Sequence, residues 1–138
     1  MIIWLNKDLP YSHINTVFLQ ETDKVLDVGC GIGGSAFYMA KHFGCSVYGM
    51  DLSKNMIDIA NELRDDQPAG VKHRVQFYVE DATLMDYPTG FYDMVYSRDT
   101  ILHIKDKKAL FQQFYDSLKP GGTVLITDYC HGSKKPYR

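Results

Sequence analysis

Residues Lys24–Gly34 read KVLDVGCGIGG, and this stretch decides the fold. Lys24–Val28 is a short apolar run that ends in a glycine cluster, the pattern of a buried strand entering a tight loop. From Gly34 to about Phe43, the positions of Phe37, Met39 and Ala40 predict a helix packed on the sheet, which Gly44 closes. Glycines in such a loop permit positive φ and close backbone approach to a ligand. Gly29, Gly31 and Gly34 also satisfy the spacing GxGxxG, which alone is weak evidence for a nucleotide site.

Outward from this loop the same rhythm repeats. Ser46–Met50 predicts a second strand ending at Asp51, and Ser53 caps a helix carrying Met56, Ile57, Ala60 and Leu63 at helical spacing. Asp65–Gly70 reads as a polar turn, Arg74–Val79 as a third strand and Tyr92–Tyr96 as a fourth. Asp106–Leu118 is a helix with Leu110, Phe111, Phe114 and Leu118 on one face. Lys119-Pro120-Gly121-Gly122 breaks it, and Thr123–Thr127 is a fifth strand. The sum is an α/β fold, Rossmann-like and doubly wound, with a mainly parallel sheet of about five strands.

Ligands in such folds lie beyond the carboxyl ends of the strands. Those ends carry Asp27, Asp51, Glu80 with Asp81, Asp99 and Asp128, so several carboxylates face one crevice. Asp51, at the end of the second strand, can accept both hydroxyls of an adenosine ribose. NAD and S-adenosylmethionine both need such an acid. Three features favour the second. Asp27 in the loop mouth suits the ammonium of a methionyl tail and is poor company for a pyrophosphate. Asp81-Ala82 follows the third strand, where a carboxylate can accept from an adenine amino group. KPGG precedes the fifth strand.

Composition bounds the rest. The chain has 138 residues, enough for one domain with a core of useful size. A hydrophobic content of 45% with 23% charged residues excludes a disordered chain. The net charge of −2 and the absence of a basic stripe leave no case for nucleic acid. Met1–Leu5 is apolar but too short for a signal-peptide core or a membrane span. Cys30, Cys45 and Cys130 lack CxxC spacing, and the five histidines lack metal-ligand spacing, so neither a metal nor a disulfide framework is expected. A reducing cytoplasm is the default compartment. The oligomeric state cannot be read from the sequence.

Six segments together, KVLDVGCGIGG, GMDLSKNMIDIA, DAT, YSRDTILHI, LKPGG and ITDYC, resemble class I S-adenosylmethionine-dependent methyltransferases. More closely they resemble phosphoethanolamine N-methyltransferases of plants, nematodes and protists, over residues 24–130. The glycine loop and KPGG occur across many methyltransferases, whereas YSRDTILH with ITDYC is far more specific. The resemblance implies S-adenosylmethionine as cofactor and a small phosphobase as substrate. It implies that Gly29 and Gly31 bring backbone amides to the cofactor, with Asp27 near its amino-acid end. It places Asp51 on the ribose, Leu52 against the adenine, Asp81 and Ala82 at the adenine edge, and Arg98 in the cofactor pocket. It assigns Asp99 and His103 as the catalytic dyad. Spaced by four, these two would share a face if their segment were helical. A plainer reading makes Asp99 a cap for residues 100–104 and His103 a boundary histidine.

Two departures from the family pattern shape the expectation. Residues 1–23 do not match the family's leading segment, so the tyrosine role found there is not carried onto Tyr11. Residues 131–138 (HGSKKPYR) form a short polar tail where the family continues into further strands that grip the substrate phosphate. The expectation is therefore a fragment, a truncated product or a splice form, an incomplete class I methyltransferase fold with its cofactor half present. Such a chain would bind the cofactor weakly, methylate poorly or not at all, and leave an open sheet edge at the fifth strand.

Overall fold

The computed structural model describes residues 2–6 and 19–129. The tail 131–138, Cys130, Tyr11 and His13 lie outside the described residues. Among the described residues, six strands form one sheet in the order β1-β6-β5-β2-β3-β4. They are β1 (Ile2–Asn6), β2 (Lys24–Val28), β3 (Ser46–Asp51), β4 (Val75–Val79), β5 (Tyr92–Arg98) and β6 (Leu118–Thr127). The helices are α1 (Gly34–Phe43), α2 (Lys54–Asp65), α3 (Ala69–Lys72) and α4 (Lys107–Ser117), with a single 3₁₀ turn at Ile101–His103. Strands β2 to β6 pair in parallel, as the alternation of apolar runs and amphipathic helices predicts.

Strand β2 lies at the centre, between β3 and β5, and every residue after Lys24 is buried. Its side chains alternate between the two faces. Val25 packs with Val47, Met94, Ala36, Met39 and Ile57 on the face covered by α1 and α2. Leu26 and Val28 pack with Val95, Leu110, Phe114 and Ile126 on the face covered by α4. Two cores on opposite faces of one sheet define the doubly wound arrangement.

Local chemistry sets the ends of the helices. Gly33 caps α1 at φ 92°, and a Cβ there would sit 2.5 Å from the Phe77 ring. Gly44, at φ 71°, ends that helix by donating its N–H to the Ala40 carbonyl. The Ser53 hydroxyl accepts from Met56 N at the start of α2, and Asp106 accepts from Ala109 N at the start of α4.

Three details differ from the sequence expectation. The apolar N-terminal run, read only as too short for a membrane, forms β1 and pairs antiparallel along β6, from Ile2 with Thr127 to Asn6 with Thr123. The edge expected to stand open at the fifth parallel strand is thus covered, and the sheet has six strands. Ile, Trp and Leu in sequence favour a strand, a propensity that a test for membrane length does not score. The turn at 65–70 gives way to the one-turn helix α3, which buries Val71. The break at Lys119–Gly122 is a bulge within β6: Tyr92 pairs with Leu118 and Met94 with Thr123, so two steps on β5 face five on β6. Among the described residues no helix is long and apolar enough to cross a membrane.

Candidate functional site

The glycine loop folds over the end of β3. Gly29 N and Cys30 N both donate to the Met50 carbonyl, at 2.8 and 3.0 Å. Asp51 then ties the loop down. Its Oδ2 accepts from Gly31 N and its Oδ1 from Ser53 N, both at 2.9 Å. Each oxygen keeps a second lone pair for a ligand hydroxyl. Gly29 adopts φ 74° and lies so close to β5's exit that a Cβ would stand 2.0 Å from Thr100 Oγ1.

Asp27 is the one carboxylate of the group that is fully inside, at 2% exposed. Its Oδ2 is buried without a hydrogen-bond partner. Burial pushes its pKa up to about 7, against the lowering effect of Arg98 and with a further push from Asp51. Cys30 beside it is also buried, and desolvation with the charges of Asp27 and Asp51 raises its thiol pKa. It is a small filler of the loop, without nucleophilic character.

A cavity of about 400 Å³ opens beyond the carboxyl ends of β2, β3 and β4. Gly29, Asp51, Leu52, Asp81, Ala82 and His103 all line it. Leu52 is 72% exposed, a large apolar side chain left bare at the rim. Asp81 turns its Oδ1 onto Thr83, accepting from the amide at 2.8 Å and the hydroxyl at 2.6 Å, and these bonds lower its pKa. The Ala82 carbonyl accepts from Tyr87 Oη at 2.7 Å, so its N–H is the group left for a ligand edge.

Arg98 and Asp99 do not line this cavity. Arg98 lines another, of about 570 Å³, on the α1 face beside Tyr38, Tyr96 and Leu125. Asp27 lies between the two walls, sensing Arg98 from one and Asp51 from the other. Asp99 is the only non-glycine residue with positive φ, 54°, among the described residues. Its N–H donates to the Thr127 carbonyl at 2.8 Å. The helical part of the segment begins only at Ile101, so the condition for Asp99 and His103 to share a helical face is not met, and no hydrogen bond joins their side chains. Nor does Asp99 cap the turn: Asp128 Oδ2 does, accepting from Leu102 N at 2.7 Å. Tyr129, beside Asp128, is 74% exposed.

Several lining residues escaped the sequence reading. Thr83, Thr100, Ile104 and Lys105 join the cavity wall. Thr83 lies in the segment DAT, and Thr100 and Ile104 in YSRDTILHI, but no role was read for them there, and Lys105 lies outside the quoted segments. Among the described residues no cluster of His, Cys, Asp or Glu could hold a metal ion.

The fold and the loop are those of a methyltransferase domain. Residues 25–122 match the family model described as "Methyltransferase domain", and the chain belongs to that family. Within it, the chain is 54% identical over 123 residues to phosphoethanolamine N-methyltransferase 3 of Arabidopsis thaliana, across 89% of this chain and 24% of that protein. It is 38% identical to the phosphoethanolamine N-methyltransferase of Plasmodium falciparum, across 88% of this chain and 45% of that protein. The structure of phosphoethanolamine N-methyltransferase 2 from Haemonchus contortus, in complex with phosphomonomethylethanolamine and S-adenosylhomocysteine, superposes with a TM-score of 0.80 at 41% identity. It is matched over 86% of this chain and 27% of that one. The chain therefore spans about a quarter of the length of the plant relative it matches.

The residues present fit S-adenosylmethionine. The orphaned Asp27 oxygen lacks the donor that an ammonium would supply. Nothing stands within 4 Å of where a Gly31 Cβ would be, leaving room above the loop. Asp51 presents spare acceptors to a diol.

Proposed function

We propose that residues 24–130 are the S-adenosylmethionine-binding core of an N-methyltransferase acting on phosphoethanolamine or its mono- and dimethyl forms, toward phosphocholine. The observation that carries this reading is the cavity that gathers Asp51, Asp81 and His103 around the glycine loop. The likeness to the phosphobase enzymes supplies the substrate class. The reading places the protein in the cytoplasm.

In this reading Gly29 and Gly31 approach the cofactor by backbone, Asp27 faces its ammonium, Asp51 its ribose, Leu52 its adenine face, and Asp81 with Ala82 its adenine edge. Arg98 stands on the far side of Asp27, at the amino-acid end. Bound there, S-adenosylmethionine supplies a sulfonium-bound methyl group for in-line displacement. The substrate enters as an ammonium and has no lone pair until a proton leaves. The His103 imidazole, at the cavity wall, accepts that proton. The Asp99 carboxylate balances the positive charge that grows on nitrogen. Holding the nitrogen in line with the methyl group supplies most of the remaining rate.

The test is transfer of a labelled methyl group to phosphoethanolamine and to its monomethyl form, together with calorimetric titration of S-adenosylhomocysteine. The expected outcome is measurable binding, with transfer reduced roughly 10²-fold in His103→Ala, the scale of a lost general base. Transfer that is equal in wild type, Asp99→Ala and His103→Ala would remove the dyad. Binding without any transfer would favour a cofactor-binding module, the second reading, to which the unbonded Asp99 and His103 lend support.

A further inference from the structure

A third cavity, of about 330 Å³, opens on the α4 face of the sheet between β3, the edge strand β4 and the segment entering β5. Its walls include Tyr48, Tyr78, Phe91 and Tyr92. Three of these rings stand almost mutually perpendicular. Phe91 and Tyr92 are 5.0 Å apart at 86°, Tyr48 and Phe91 5.7 Å at 68°, and Tyr48 and Tyr92 5.9 Å at 70°. The three rings meet edge to face along the wall, and Tyr78, 45% exposed, also lines the cavity. The one formally charged side chain in the lining is Glu80. The cluster already attracts a cation: Lys24 Nζ lies 4.3 Å from the Phe91 centroid.

We propose that this aromatic cavity binds a small methylated ammonium ion, with the ring faces and Glu80 as its counter-charge. Aromatic faces attract cations that are too weakly hydrated to resist leaving water, and quaternary ammonium groups are the usual case. Burial pushes the Tyr92 hydroxyl up to about 12, so the phenol stays neutral and adds no charge of its own at neutral pH. The volume sits at the small end of ligand pockets, which suits a headgroup-sized cation. Glu80 and Met50 line both this cavity and the one holding Asp51 and His103, so the two adjoin through one carboxylate. The proposal stands on the ring geometry and does not depend on the methyl-transfer reading.

Its test is titration of the 138-residue chain with choline and with 3,3-dimethylbutan-1-ol, the neutral isostere of the same shape, followed by ligand-observed NMR or calorimetry. Choline is expected to bind at least about fivefold more tightly, the discrimination that a cation–π cage gives. Tyr48→Leu and Tyr78→Leu should each weaken choline roughly threefold or more, while His103→Ala, which touches only the neighbouring cavity, leaves it unchanged. Tyr78 is exposed enough to be replaced without loss of fold should Tyr48→Leu fail to fold. Equal affinity for the isostere, full affinity in a folded Tyr78→Leu variant, or loss of binding in His103→Ala would each overturn the proposal.

Discussion

Two corners of the same crevice are built in opposite ways. The glycine corner, at the end of β2, is interior. Asp27 and Gly33 are buried, the loop amides are bonded to Met50, and Asp51 clamps Gly31. The β5 corner is exterior. Arg98, Asp99, Leu102 and His103 are all exposed, and the corner is held by β6, through the Thr127 carbonyl and the Asp128 carboxylate. The first corner is set before any ligand arrives. The second leaves its acid and its imidazole unjoined, with Asp99 in a backbone conformation that costs on the order of 1 kcal/mol. Strain of that kind is retained where something else fixes it, and here β6 is what fixes it. On the proposed function, a rigid corner for the cofactor beside an open corner for the substrate is the expected division when one ligand is common to a whole family and the other varies.

The comparison breaks most sharply at Gly29. Replacing it with Ala sets a side chain in left-handed backbone and drives a Cβ to 2.0 Å from Thr100 Oγ1. Left-handed strain and overpacking together cost about 3–4 kcal/mol. We expect a fall of roughly 10 °C in thermal midpoint for a chain of this size and loss of S-adenosylhomocysteine binding. Adding Thr100→Gly should recover part of the midpoint, because the clash is with that side chain. A Gly29→Ala chain as stable as wild type would mean that the two corners do not press on each other.

Asp27 tests the interior character of the glycine corner through pH. Its folded pKa, about 7, lies above the model-compound value of 3.8 that stands for the unfolded chain. The folded state therefore binds the proton more tightly, and the stability it contributes is present below pH 3.8 and lost as pH rises to about 7. Between pH 5 and 7 the loss is roughly 2–3 kcal/mol. Asp27→Asn removes that slope and makes the chain without cofactor more stable than wild type at pH 8, measured by denaturant titration across pH. S-adenosylhomocysteine, whose ammonium favours the ionised carboxylate, should bind wild type better as pH rises through 7 and Asp27→Asn weakly at every pH. A wild-type stability that is flat from pH 5 to 8 would place the Asp27 carboxyl in contact with water or a partner.

The same contrast explains what could be read from the sequence. The glycine corner is written in residue types that few other environments demand: glycines where a Cβ would collide, and acids at strand ends. Five strands and three helices follow from apolar period and from signals such as the Ser53 cap, whereas the Asp106 cap shows only in the structure. Residues whose reasons lie outside their own segment were not legible. Strand β1 exists because β6 offers an edge; α3 is a single turn made by burying Val71. Arg98 faces a different cavity from Asp51 although the register puts both on the same face of the sheet, because β2 and its glycine loop lie between their strands, a division that a list of strand-end residues conceals. The Asp99 and His103 spacing of four suggested one helical face, yet a 3₁₀ turn of three residues cannot carry it.

Asp128 makes the smallest but most pointed test, because it acts on the open corner alone. Its Oδ2 caps the turn that carries His103, and its Oδ1 accepts from Tyr129 N. Losing such a cap costs about 1 kcal/mol, so Asp128→Ala should lower the midpoint by only a few degrees. The local effect should be larger than the global one: faster hydrogen exchange at Leu102 and Ile104, with no change at Gly31 or Ser53, whose amides belong to Asp51. Cofactor affinity should stay within about twofold, while transfer falls by roughly tenfold as His103 loses its fixed position. Asp51→Ala should show the reverse, sparing Leu102 exchange and removing cofactor binding. If Asp128→Ala loosened both corners equally, they would be one cooperative unit, and the division between a rigid glycine corner and an open β5 corner would fail.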